Sequence, residues 1–127
     1  MRRMAGWKDF REIGAWQRAR ELKLRVDALL ARESFRTNFK FREQLGDAAR
    51  SGPRNIAEGF GRYGNKEFAR FARIAKGSEI EVLNHLIDAQ DQGLLTADEF
   101  KNLEACVQQA LAAVVGLIRH LEASDRR

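Results

Sequence analysis

One proline, one cysteine and two histidines are all this 127-residue sequence contains of those types. Cys106 has no partner for an internal disulfide, so a fold stapled by cross-links is excluded. A reducing, intracellular setting, the cytoplasm, is the expectation. No apolar run approaches the roughly eighteen residues that a membrane-spanning helix needs, and no membrane partner is expected. The opening Met1-Arg2-Arg3-Met4 is basic, but Gly6 to Arg11 supplies no apolar stretch, and a secretory signal is not expected. Walker loops, dinucleotide fingerprints and hydrolase elbows are also missing, and no cofactor is expected.

Ala, Leu, Arg, Glu and Lys dominate instead, and β-branched residues are sparse. That composition favours helix wherever packing does not decide the matter. A chain of this length can bury one core, and a single all-α domain is the expectation, an antiparallel up-down-up-down four-helix bundle with helices at about 9–32, 39–58, 65–92 and 97–122. In the first, Ile13, Trp16, Ala19, Leu22, Val26 and Leu29 recur at threes and fours, which places them on one face. Ser34 to Asn38 breaks the pattern, and Asn38 is expected to cap the second helix. That helix carries Phe41, Leu45, Ala48, Gly52 and Ile56 on one face. Pro53 within it predicts a kink or a restart.

Three glycines between Gly59 and Gly64 predict a chain reversal, with Gly59 or Gly61 as a helix C-cap at positive φ. The third helix is expected to start from Asn65 as N-cap. Its stripe reads Phe68, Phe71, Ala75, Ser78, Val82, Leu86 and Ala89, close to a coiled-coil seam. Gly93 ends it, and Thr96 to Glu99 reads as a capping box. The last helix carries Leu103, Val107, Ala110, Val114, Leu117 and Leu121. Leu111, Ala112, Ala113, Val115 and Ile118 widen its apolar girth, which predicts a second packing partner and a subunit interface.

The net charge of +5 is unevenly distributed: residues 1–76 hold 19 Lys and Arg against 9 Asp and Glu, whereas residues 77–127 hold 4 against 9. The first part has the charge to meet a polyanion; pairing between the two parts would consume the same contrast. Arg11, Arg18, Arg25 and Arg32 repeat every seven residues and would form a gently drifting stripe about 32 Å long. Such a ladder suits a phosphate backbone. Lys66, Arg70 and Arg73 make a second ridge, and Arg50 and Arg54 a shorter one. A basic ridge is equally the solvated face of an amphipathic helix, and Glu21 before Arg25 provides for local pairing.

Catalysis has weaker support. Glu81, His85 and Asp88 share a helix face, but the paired Glu-x-x-His motifs of carboxylate-bridged di-metal bundles are absent. A surface histidine with helical ion pairing is the better reading, and Cys106 reads as a small buried hydrophobe. An enzyme is not expected.

One stretch looks like a family signature: Asn55-Ile56-Ala57-Glu58-Gly59, Arg62, Glu67-Phe68, Phe71, and Ile74-Ala75-Lys76-Gly77-Ser78 with Glu81. It resembles the bacterial four-helix-bundle proteins encoded in intervening sequences of 23S ribosomal RNA genes. The accessory variability determinant of diversity-generating retroelements is related to that family. The resemblance runs from Phe10 to about Leu121. It implies a homo-oligomer, a pentameric ring, with a basic surface for RNA or DNA and, in the retroelement relative, a reverse transcriptase partner. It further implies that Gly59 turns the chain, that Glu58 pairs with Arg62, and that Gly77 and Ser78 let helices approach closely. Gly46-Asp47 depart from the basic residues that family members often carry there. A protein-interaction module without a nucleic-acid role is the alternative.

Overall fold

The computed structural model describes residues 6–125, all of them helical or in short joints, with no strand. Met1-Arg2-Arg3-Met4 lies outside the described residues. A single 3-10 turn, Phe10–Glu12, precedes α1 (Gly14–Leu30), the one-turn α2 (Glu33–Arg36), α3 (Phe39–Phe60), α4 (Asn65–Asp91) and α5 (Ala97–Asp125).

The first helix therefore starts at Gly14 rather than Asp9. The Asp9 carboxylate accepts from the Arg11 backbone N–H at 2.8 Å and caps the 3-10 turn. Ile13 is then extended, which buries its side chain. Where the pattern breaks after residue 32, α2 turns Phe35 fully into the core. Asn38 caps α3 as expected, accepting from the Phe41 N–H at 3.3 Å. That helix continues through Pro53 without a restart, and Pro53 is buried.

The glycine joint differs from expectation. Gly61 is the C-cap of α3, one of the two expected positions, but with φ −77°; Gly59 lies inside α3, and positive φ falls on Gly64, at +93°. Gly64, not Asn65, is the N-cap of α4, so the left-handed residue sits at the start of the following helix. Gly59 serves packing instead: a Cβ there would lie 2.7 Å from Phe68 Cδ1 and 2.8 Å from Phe71 Cβ. At the other end of α4, Gly93 (φ +77°) closes a Schellman motif: Leu94 donates to the Ala89 carbonyl, and Gly93 to that of Gln90. The capping box forms reciprocally: the Thr96 N–H donates to Glu99 at 2.9 Å, and the Glu99 N–H to the Thr96 hydroxyl at 3.1 Å.

Helix α1 packs beside α3 and α5, and α4 packs beside the same two. Two apolar clusters fill the interior. One gathers Leu22, Val26, Leu45, Val82, Leu86 and Val107; the other gathers Ile13, Ala19, Ile56, Ala72, Val114 and Leu121. Truncating a buried leucine in either should cost about 2–5 kcal/mol. The broad girth of α5 is partly absorbed here: Ile118 is buried, and Leu111 and Ala113 pack against the clusters. Among the described residues no helix is long and apolar enough to cross a membrane.

Candidate nucleic-acid interface

The arginine ladder is largely fastened inside the molecule. Arg11 stands on the 3-10 turn, off the α1 stripe, and pairs with Asp9 at 2.8 Å. That pairing holds the Asp9 carboxyl down at about 2. Arg18 donates to Gln109 on α5 at 3.1 Å, Arg25 pairs with Glu21 at 2.9 Å, and Arg32 bridges to Glu99 at 2.6 Å. Arg18 on α1 and Arg32, which lies past the end of α1 as the N-cap of α2, both reach across to α5. Both therefore cross-link two helices and are less free to meet phosphate.

The α4 ridge is more open. Lys66, Arg70, Arg73 and Lys76 are all exposed and occupy the first three turns, with Glu67 the one carboxylate among them. Arg70 pairs with Glu67 at 2.8 Å, and this hydrogen bond lowers the Glu67 pKa and raises that of Arg70. Arg73 reaches Glu122 at 3.0 Å. Lys66 and Lys76 meet no carboxylate among the described residues. On α3, Arg50 lies 3.9 Å from Asp47, a loose pair, and Arg54 is exposed and forms no ion pair among the described residues. Beyond Lys76 the exposed charged residues of the helix are all acidic, Glu81, Asp88 and Asp91.

Several signature residues meet where α3 joins α4. Glu58 pairs with Arg62 at 2.9 Å; the Arg62 and Arg70 guanidinium carbons lie 4.9 and 4.6 Å from the Phe71 ring centroid. A chain of contacts thus runs from Glu58 through Arg62, Phe71 and Arg70 to Glu67. A carboxylate and the shared Phe71 ring hold each guanidinium group, although both side chains stay about half exposed. Farther along, the Ser51 and Ser78 hydroxyls share a hydrogen bond at 2.7 Å, and Asn55 donates to the Ser51 carbonyl and hydroxyl. Ser78 and Gly59 therefore hold the two helices together. Gly77 does not: it is exposed, and an added Cβ would touch nothing. Glu81 is exposed and faces His85 at 3.3 Å.

Glu79 is the residue that sequence reasoning missed. It is 1% exposed, neither carboxylate oxygen has a hydrogen-bond partner, and burial pushes its pKa up to about 8. Its Oε2 lies 3.5 Å from where a Gly52 Cβ would stand, and Ala19 Cβ is equally near that point. It thus interrupts the core between Ala75 and Val82, at the junction of the two apolar clusters. The signal was available in the spacing. Phe68, Ala72, Ala75, Glu79, Val82, Leu86 and Ala89 alternate fours and threes without exception, and all are buried. The stripe expected from the sequence runs through Phe71 and Ser78 instead, and Ser78 is only half-buried.

Cys106 is buried, which raises its thiol pKa. Among the described residues no three His, Cys, Asp or Glu side chains are grouped to hold a metal ion. A comparison with curated proteins finds no match. The profile of the 23S rRNA-intervening sequence proteins matches residues 11–116, which include the whole signature and the α4 ridge. The chain belongs to the family of 23S rRNA-intervening sequence proteins.

Proposed function

We propose that this protein is a non-enzymatic, homo-oligomeric four-helix bundle that binds the phosphate backbone of RNA or DNA through the first half of α4 and the end of α3. The carrying observation is the charge division along α4. Four exposed cations occupy its first three turns, two of them without a carboxylate partner, and acidic residues follow. Phosphates would neutralise Lys66, Lys76 and Arg54 at no cost in broken ion pairs, whereas Arg25 and Arg32 would have to exchange partners. Binding of this kind reads little sequence and weakens steeply with salt.

The antiparallel, up-down-up-down arrangement is supported by residue pairs. Arg18 meets Gln109 while Arg32 meets Glu99, and Ser51 meets Ser78 while Gly59 meets Phe68. Sequence numbers rise on one helix as they fall on the next, as short joints favour. Oligomerisation is supported by the second half of α4, where Ile80 and Ile87 are 48% and 41% exposed on the side away from the core.

Fluorescence anisotropy against short RNA and DNA strands across a salt series tests this reading. The wild type should bind with a steep negative dependence on salt. Lys66→Glu with Lys76→Glu should weaken binding at least tenfold and flatten the slope. Arg18→Glu with Arg25→Glu should do less. Absence of binding at low salt would sink the proposal and direct attention to a protein partner.

A further inference from the structure

Charge alone does not separate duplex from single strand, but one ring at the α3–α4 joint does. Tyr63 is 80% exposed, more than any other large apolar side chain among the described residues. The other aromatics of this end are engaged: Phe60 and Phe68 stack edge to face at 6.3 Å, Trp7 meets Phe68 at 6.4 Å, and Phe71 lies against Arg62 and Arg70. Among the described residues Tyr63 takes part in no such contact. It projects from a glycine-flanked turn with Arg62 before it and Lys66 three residues later, at the head of the basic ridge. Arg62, the preceding residue, is already held by Glu58 and lies over the Phe71 ring, so one cation of this turn is preorganised.

We infer that Tyr63 is a stacking platform for an unpaired nucleobase, and that the interface prefers single-stranded nucleic acid. This rests on the basic ridge acting as the backbone-binding surface. The physical reason is access. Bases in a duplex spend their faces on one another, whereas an unpaired base has a free face to lay on an aromatic ring. Exposed cations before and after Tyr63 in the chain, Arg62 and Lys66, suit the phosphates that flank that base. Aromatic platforms set among basic residues are a general means of holding single strands with little sequence preference.

The test compares a short unstructured RNA strand with the same strand annealed to its complement, using the full-length protein. The wild type should bind the single strand more tightly. Tyr63→Ala should lower that affinity by roughly 5- to 100-fold, the range for losing one stacked base. It should leave the duplex affinity and the salt slope unchanged, since no charge is lost. Tyr63→Trp should retain binding, which separates stacking from any general damage to the joint. Equal binding of both probes, with Tyr63→Ala matching the wild type, would overturn the platform and leave the basic ridge standing. A wild type that binds neither probe would overturn both.

Discussion

Glu79 offers the sharpest test of how this core is built. Its carboxyl is buried without a hydrogen-bond partner, and desolvation raises its pKa from 4.5 to about 8. The folded state therefore holds a proton that the unfolded chain releases above pH 4.5. With more protons bound in the folded state, stability must fall as pH rises. The contribution is fully present below about 4.5, declines through neutrality, and is exhausted above about 8. Each unit of pH within that window is worth about 1.4 kcal/mol, so the loss between pH 4.5 and 7 is about 3 kcal/mol. Glu79→Gln removes the titration while keeping the shape. Glu79→Leu also removes the unsatisfied polar atoms.

Urea unfolding followed by far-UV circular dichroism from pH 5 to 9, at one fixed protein concentration, provides the measurement. The gap between Glu79→Gln and the wild type should widen by about 4 kcal/mol from pH 5 to 9, most of it by pH 8, and level off above that. Glu79→Leu should be the most stable of the three at pH 7. The subtraction removes the exposed carboxylates, such as Asp9 and Glu67, which titrate lower in both proteins. A gap that stays constant over this range would refute a buried, neutral Glu79.

Two further outcomes test the packing and the assembly. Gly59→Ala should destabilise the fold by about 1–3 kcal/mol, read as a lower Tm, despite alanine's higher helix propensity. The new methyl group would press on Phe68 and Phe71, and also lie 3.2 Å from the Phe68 carbonyl oxygen. On the proposed oligomeric reading, the wild type should elute in size-exclusion chromatography with light scattering as more than a monomer, and Ile80→Lys with Ile87→Lys should shift it to the monomer mass. Helical content should persist, because neither side chain belongs to the buried core.

Much of the fold was written in local patterns. Threes and fours of apolar residues placed the long helices, and Asn38, Gly93 and the Thr96–Glu99 box fixed three of their ends, because capping needs only neighbours along the chain. The signature around Asn55 to Glu81 identified the family. Tertiary structure decided the rest. Gly59 is required because another helix approaches it, not because the chain turns there, and only packing could show this. The heptad spacing of Arg11, Arg18, Arg25 and Arg32 suits a phosphate-binding stripe or a solvated face alike, and Gln109 and Glu99, remote in sequence, take up two of its members. Sequence spacing gives the face on which a charge lies; whether it meets a partner depends on which helix the fold sets beside it. Glu79 combines both lessons: its register was visible all along, but only the closed core, with no partner and no water-facing side, makes it neutral.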